Sequence, residues 1–196
     1  MEIITIRCPN CGASITTQTK QCKYCFQDIL VQSFKSLATM PMPQVNKRML
    51  SYRTAAAEHP DNKELNTSIG LCFLRLKKYD QAIEYFEKAQ AENFDDSTPF
   101  YYSAVARLQG KKPFLHTRQE IDKMMEDIQA AMDIEPTPVQ YYFLSYIKRD
   151  YFKRKFLNVT PTWEECMQEA VDNGLTPQDV VDFHQMVGTP VDIELD

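Results

Sequence analysis

Glycine is scarce in this sequence, with only 5 among 196 residues. All-β barrels and sandwiches need many tight turns, so this shortage favours helices. No apolar run approaches the length of about 18 residues that a membrane-spanning helix needs. The first residues, 1–7, also lack the basic start and apolar stretch of a secretory signal peptide. These absences predict a cytoplasmic protein with no membrane partner.

Positive charge is not in excess either. The chain carries 22 Lys and Arg against 27 Asp and Glu, a formal net charge of −5. A dedicated nucleic-acid-binding domain is normally strongly basic, so the overall composition does not favour that class. Catalytic signatures are missing as well, since no H-E-x-x-H, G-x-S-x-G or G-x-G-x-x-G occurs. The sequence therefore predicts that the protein is not an enzyme.

Four of the six cysteines form two short pairs with the spacing C-x2-C-x10-C-x2-C, namely Cys8, Cys11, Cys22 and Cys25. In a reducing compartment this pattern is typical of a metal site rather than of disulfides. Four thiolates complete the tetrahedral shell that Zn²⁺ prefers and leave no open coordination position. We therefore predict one structural zinc ion held by these four residues.

The residues around the cysteines agree with this prediction. Pro9 and Gly12 suit a tight turn, and short strands are predicted within 3–6, 14–17 and 27–31. Residues 1–32 resemble the zinc-ribbon family, whose short members carry the same C-P-x-C-G turn, although Phe26 stands where the second turn commonly has glycine. Zinc binding contributes about 10–16 kcal/mol to such small polar modules, which otherwise bury too little apolar surface to fold.

Beyond residue 44 the apolar residues follow the helical period, and one pattern recurs. Ala-x-Ala-Glu-x-x-Asp occurs at 55–61 and again at 89–95, an offset of 34 residues. The sequence between these copies resembles the tetratricopeptide repeat (TPR), a pair of antiparallel helices of that length. The positions that match the repeat motif are Ile69, Gly70, Ala82, Phe86 and Ala89.

The remaining sequence predicts further helices of the same solenoid. Caps and apolar periodicity place them at 98–108, 117–133, 138–156, 161–173 with Thr160 as the cap, and 177–187 ended by Gly188. The predicted fold class is mainly α, a TPR-like α-helical solenoid with a small N-terminal β zinc ribbon. The predicted domains are a ribbon at 1–32, a linker at 33–43, helical repeats with a capping helix at 44–188, and an acidic tail at 189–196.

The TPR resemblance implies a binding groove lined by the first helix of each repeat. Carried onto this sequence, the groove positions are Glu64, Thr67, Leu71, Leu74 and Arg75. The Lys and Asn with which the family clamps a C-terminal carboxylate are absent, because Thr67 and Leu71 stand in their places. A more apolar peptide or a partner helix fits better. The alternative is that Leu71 and Leu74 pack on a neighbouring helix.

Together these features predict a non-catalytic adaptor or scaffold that binds a protein partner through its helical surface, with the zinc ribbon as a second docking module. The alternative is a nucleic-acid-associated protein. That interpretation would use Lys20 and Lys23 of the ribbon and the basic helix 146–155, in which five residues are Lys or Arg.

Overall fold

The computed structural model describes residues 3–91 and 95–191. The chain forms two compact units, Met1–Asn93 and Phe94–Asp196. Two parts of the chain lie outside the described residues. They are Phe94, which stands at the terminal position of the repeat motif, and residues 192–196 of the predicted acidic tail.

The first unit begins with a small two-stranded sheet. Strand β1 (Thr5–Arg7) pairs antiparallel with strand β2 (Ser14–Thr16), which places Ile6 opposite Ile15. Both isoleucine side chains are buried. The alternation of exposed and buried residues in these two strands is the period of two that a half-buried strand requires.

The third strand expected within 27–31 does not form. Residues there make one isolated bridge, between Gln21 and Asp28. The reason is that the backbone beyond this bridge bonds to helices. The carbonyl of Ile29 accepts a hydrogen bond from Tyr52, and the backbone of Val31 bonds to Ser68.

Among residues 3–91, the first unit also contains the helices α1 (Lys35–Ala38), α2 (Met42–Glu58), α3 (Lys63–Arg75) and α4 (Tyr79–Gln90). Helix α3 packs against both α2 and α4. Asn62 caps α3, because its side chain accepts a hydrogen bond from the backbone N–H of Leu65. Helices α3 and α4 form the antiparallel pair that the repeat motif predicts.

The close packing of α3 on α4 depends on Gly70. A Cβ atom built on Gly70 would lie 2.5 Å from the ring of Phe86, which is fully buried. Only a residue without a side chain lets the two helices approach this closely. The resemblance implies this close approach at Gly70. It places Phe86 between repeats, whereas here the Phe86 ring packs on Gly70 within one helix pair.

Over residues 95–191, the second unit contains two further helix pairs and a helix that follows them. The first pair is α5 (Thr98–Arg107) with α6 (Arg118–Ile134), the second is α7 (Pro138–Ile147) with α8 (Trp163–Asp172), and the last helix is α9 (Pro177–Val187). A short 3-10 helix, Pro113–Leu115, lies in the loop between α5 and α6. Helix α7 continues as a π-helix, Lys148–Lys153.

Capping boxes define where α6, α8 and α9 begin. In α8 the cap is Thr162 rather than the expected Thr160, since the Thr162 hydroxyl accepts from the N–H of Glu165 and the Glu165 carboxylate accepts from the N–H of Thr162. The helix therefore starts two residues later than predicted. Helix α9 ends at Gly188 in the left-handed conformation, as the sequence predicts.

Aromatic rings fill the core of the second unit between α7 and α9. The rings of Tyr142, Phe143 and Tyr146 all contact Phe183, with centroid distances of 4.9–5.9 Å. His184 is buried beside them and binds the Tyr142 hydroxyl through Nε2 and the Thr189 hydroxyl through Nδ1. These contacts attach the last helix to the second pair.

The predicted fold class is confirmed as mainly α and TPR-like, with a small N-terminal sheet. Within the described residues, every helix is too short or too polar to cross a bilayer.

Candidate metal centre and helical surfaces

The structure brings the four predicted metal ligands together. The Sγ atoms of Cys8, Cys11, Cys22 and Cys25 all lie within 4.8 Å of one another. The sulfurs of Cys8 and Cys25 are 3.7 Å apart and those of Cys11 and Cys22 are 3.8 Å apart. A disulfide would need about 2.05 Å, so the four thiols are separate groups.

Two matching backbone turns position these sulfurs. The N–H of Gly12 donates to the Cys8 carbonyl at 2.9 Å, and the N–H of Phe26 donates to the Cys22 carbonyl at 2.8 Å. Gly12 has φ +79° and Phe26 has φ +58°, so both residues have the left-handed backbone conformation. Phe26 therefore adopts the conformation of the glycine it replaces, with its ring 74% exposed.

The turns also make the four thiols unequal. Hydrogen bonds from the Asn10 side chain and from the Gln27 backbone lower the pKa of Cys25 to about 6. The Ala13 backbone lowers the pKa of Cys11, but loss of water contact and the neighbouring thiols outweigh it and raise that pKa to about 11. Cys25 therefore ionises more readily than an ordinary cysteine, and a bound cation would favour ionisation of the whole set.

Helix α2 contacts the cysteine segment, the stretch 8–28 that contains the four clustered cysteines. Lys47 Nζ donates to the carbonyl of Asn10 at 2.6 Å, and the Arg48 guanidinium donates to the carbonyl of Asp28 at 2.9 Å. Arg48 is only 6% exposed and also binds the hydroxyl of the buried Tyr52. Burial raises the pKa of Tyr52, so its hydroxyl stays protonated and can donate.

Sequence reasoning missed these α2 contacts. The sequence did contain a signal for a buried cation. Arg48 lies three residues after Val45 and four before Tyr52, which is the spacing of one helix face. Such spacing puts all three on one side of the helix, and the structure buries all three.

Residues 29–38, which we call the strap, connect the cysteine segment to α3. Val31 bonds to Ser68, and the Arg75 guanidinium donates to the carbonyls of Leu37 and Ala38 at 3.0 Å each. Ser68 and Arg75 are seven residues apart and share one face of the helix. The strap therefore lies along α3.

This arrangement decides the accessibility of the predicted partner-binding residues. Thr67, Leu71 and Leu74 are buried, whereas Glu64 and Arg75 are half-buried. Leu71 lies between Ser68 and Arg75 on the face that carries the strap, and it is fully buried. The alternative considered for Leu71 and Leu74, packing within the protein, fits their burial, and we do not propose these positions as an open groove.

The cations of the basic segment 146–155 lie against other parts of the second unit. Lys148 is 3% exposed and donates to the Pro161 carbonyl at 2.7 Å. The others lie over aromatic rings, with Arg149 and Lys153 over Trp163, and Arg154 and Lys155 over Phe114. Each such contact stabilises the fold by about 0.5–1 kcal/mol at an exposed site. Nucleic-acid binding by this segment or by the exposed Lys20 and Lys23 stays a prediction.

Comparison with known proteins supports the helical part of the fold. Residues 64–96 match the tetratricopeptide repeat family, and this match lies outside the cysteine segment. The crystal structure of MamA is similar over 81% of this chain and 94% of that chain, with a TM-score of 0.51 and 14% sequence identity. Among the curated proteins, none matches this chain. At this identity the structural likeness establishes the fold alone.

Proposed function

We propose that this protein is a non-catalytic adaptor that binds a protein partner through its TPR-like helix pairs, and that its four clustered cysteines hold one structural zinc ion. The observation that carries the adaptor role is the repeat itself. Residues 64–96 match the repeat family, and the Gly70–Phe86 contact supplies the close helix packing that such a repeat needs. Stacked helix pairs present extended surfaces that suit recognition of other proteins.

The zinc proposal is supported by the sulfur geometry. A tetrahedral ion with Zn–S bonds of about 2.3 Å has sulfurs about 3.8 Å apart. The Cys8–Cys25 and Cys11–Cys22 distances of 3.7 and 3.8 Å match that edge. Four protein thiolates would fill the coordination shell, so the ion would stabilise the ribbon and would have no open position for chemistry.

Charge around the cluster fits the same proposal. Four thiolates around Zn²⁺ carry a net charge of −2, and Lys47 and Arg48 bring two positive charges from α2 to the backbone at Asn10 and Asp28. These two contacts would hold the backbone of the metal-loaded ribbon against α2. The ribbon would serve as the second docking module.

We place the protein in the cytoplasm, in a reducing compartment. All six cysteines are free in the structure, and a zinc site of four thiolates requires that they remain so. Cytosolic thiols are kept reduced, which matches this requirement.

The zinc proposal is tested by metal analysis of the purified full chain. We expect one zinc per chain, lost in Cys8→Ser and kept in Cys72→Ser, a matched change at a buried cysteine outside the cluster. Equal zinc content in the two variants would contradict the proposed site.

The adaptor proposal is tested by affinity capture from native lysate with the full, zinc-loaded chain as bait. We expect a specific partner that a free excess of the bait displaces. A result in which only chaperones bind would contradict the adaptor role.

A further inference from the structure

A large groove in the second unit takes no part in the functions proposed above. Its volume is about 1020 Å³, and helices α6, α7 and α8 line it. Helices α6 and α8 each pack on α7, so α7 forms the floor and the other two form the walls. The walls are thus the second helices of two consecutive pairs, whereas the groove predicted from the TPR resemblance uses first helices.

Apolar side chains from all three helices contribute to the lining of the groove. Met125 and Met132 contribute from α6, Tyr141 and Leu144 from α7, and Cys166 from α8. The two methionines are seven residues apart, so they lie on one face of α6, and both are half-buried. Methionine side chains adapt their shape to different apolar partners, which suits a recognition surface.

Both walls of the groove are acidic. Helix α6 has five acidic residues against two basic ones, and α8 has four acidic residues and no Lys or Arg. Glu126 on one wall and Glu169 on the other line the groove and are exposed. Glu126 lies 3.2 Å from Lys123, but so exposed an ion pair is weak and exchanges readily.

The two cations in the groove do not cancel this charge. Arg118 pairs with Asp122 at 2.7 Å at one end of the groove. Lys148 is almost completely buried below the surface and donates to the Pro161 carbonyl. The accessible charge on the two walls is therefore negative.

The length of the groove suits one helix. From Arg118 to Met132 along α6 the axial rise is about 21 Å, or roughly four helical turns. An apolar floor with rows of acids on either side complements a helix that has an apolar stripe bordered by Lys or Arg. We propose that the α6–α8 groove binds a basic amphipathic helix of a partner protein. This inference rests on the proposed adaptor function and names the site and the chemistry of its ligand.

The test uses the full, zinc-loaded chain and a labelled synthetic peptide of about four turns. The probe has Leu on one face and Lys beside it, and a counterpart has Glu in place of every Lys. Fluorescence anisotropy measures both. We expect the Lys probe to bind about tenfold or more tightly than the Glu probe, with an affinity that falls as salt rises.

Charge reversal locates the binding site. Glu126→Lys with Glu169→Lys should weaken binding of the Lys probe about tenfold. The control is Glu135→Lys with Glu164→Lys, which changes net charge equally at exposed positions that do not line the groove. Met132→Ser should weaken binding without changing its dependence on salt, because it alters only the apolar interior.

Two outcomes of the peptide measurements would overturn the proposal. Equal loss of affinity in both double variants would show attraction to net charge alone, and equal binding of the Glu probe would remove the role of the acidic walls. Capture of a lysate partner separates the two proposals. The double variant Glu126→Lys with Glu169→Lys is compared with the wild-type chain. If both capture the same partner equally, the groove proposal fails while the adaptor role stands. If the wild-type chain captures none, the adaptor role itself fails.

Discussion

The hydroxyl of Ser68 in α3 and the backbone of Val31 in the strap form two hydrogen bonds. The Val31 N–H donates to Ser68 Oγ at 3.1 Å, and Ser68 Oγ donates to the Val31 carbonyl at 3.2 Å. Both residues are buried. This single side chain therefore satisfies both backbone groups of Val31 and attaches the cysteine segment to the repeat.

Ser68→Ala should destabilise the first unit by about 1–3 kcal/mol, because it leaves a buried N–H and a buried carbonyl of Val31 without their partner. Urea unfolding followed by far-ultraviolet circular dichroism measures this loss. The sole tryptophan, Trp163, lies in the second unit, so its fluorescence reports the unfolding of that unit. Thr54→Ala, which removes an exposed hydroxyl within α2, is the control and should have little effect.

Gly70→Ala should destabilise the α3–α4 pair by about 1–3 kcal/mol, since the new methyl group would overlap the Phe86 ring. The higher helix propensity of alanine offsets only about 1 kcal/mol of this strain. The Phe86→Leu variant lacks the ring. In that variant Gly70→Ala should lower the free energy of unfolding clearly less than it does in the wild-type chain. Additive effects of the two substitutions, measured by chemical denaturation, would contradict the packing argument.

Removal of zinc with a chelator should loosen the strap and α3 while most of the helix content is retained. The strap begins four residues after the proposed ligand Cys25, so we expect its bonds to Ser68 and Arg75 to depend on an ordered ribbon. Hydrogen exchange over residues 67–75 should become about tenfold faster or more, and restoring zinc should reverse it.

Helix α7 provides the internal control for that experiment. It lies in the other compact unit, and its exchange is measured in the same samples. Equal acceleration in α3 and α7 would show general unfolding, and unchanged exchange in α3 would show that the strap does not depend on the metal.

Tyr142→Phe should destabilise the second unit by about 1–2 kcal/mol. Its hydroxyl lies 2.7 Å from Nε2 of the buried His184, which would lose this partner. Trp163 fluorescence during urea unfolding reports the change. Tyr24→Phe removes a hydroxyl from a largely exposed residue of the first unit. This control should leave the urea midpoint of the Trp163 fluorescence transition unchanged.

Local chemistry explains what was predictable from sequence. The pairs Thr117–Glu120 and Thr176–Asp179 form capping boxes, and Gly188 supplies a left-handed end, so these helix boundaries follow from neighbouring residues. The cysteine cluster was predictable for the same reason, since each turn fixes two sulfurs within four residues.

Long-range contacts explain what was not predictable. Val31 and Ser68 are 37 residues apart in the chain, and no periodicity near either residue reports their contact. Sequence alone therefore left two interpretations of Leu71, a partner surface or packing within the protein, and Leu71 is fully buried. The α6–α8 groove was missed because it depends on how three helices pack, although the seven-residue spacing of Met125 and Met132 was visible in the sequence.

The strap also affects where this protein can be truncated. A fragment that started at residue 44, the predicted beginning of the repeats, would keep most of α2 together with α3 and α4. It would lose the buried side chains of Ile29, Val31 and Leu37. The face of α3 that carries Ser68 and Arg75, with the apolar Leu71 between them, would then be exposed to solvent. Self-association of the shortened chain is the expected result.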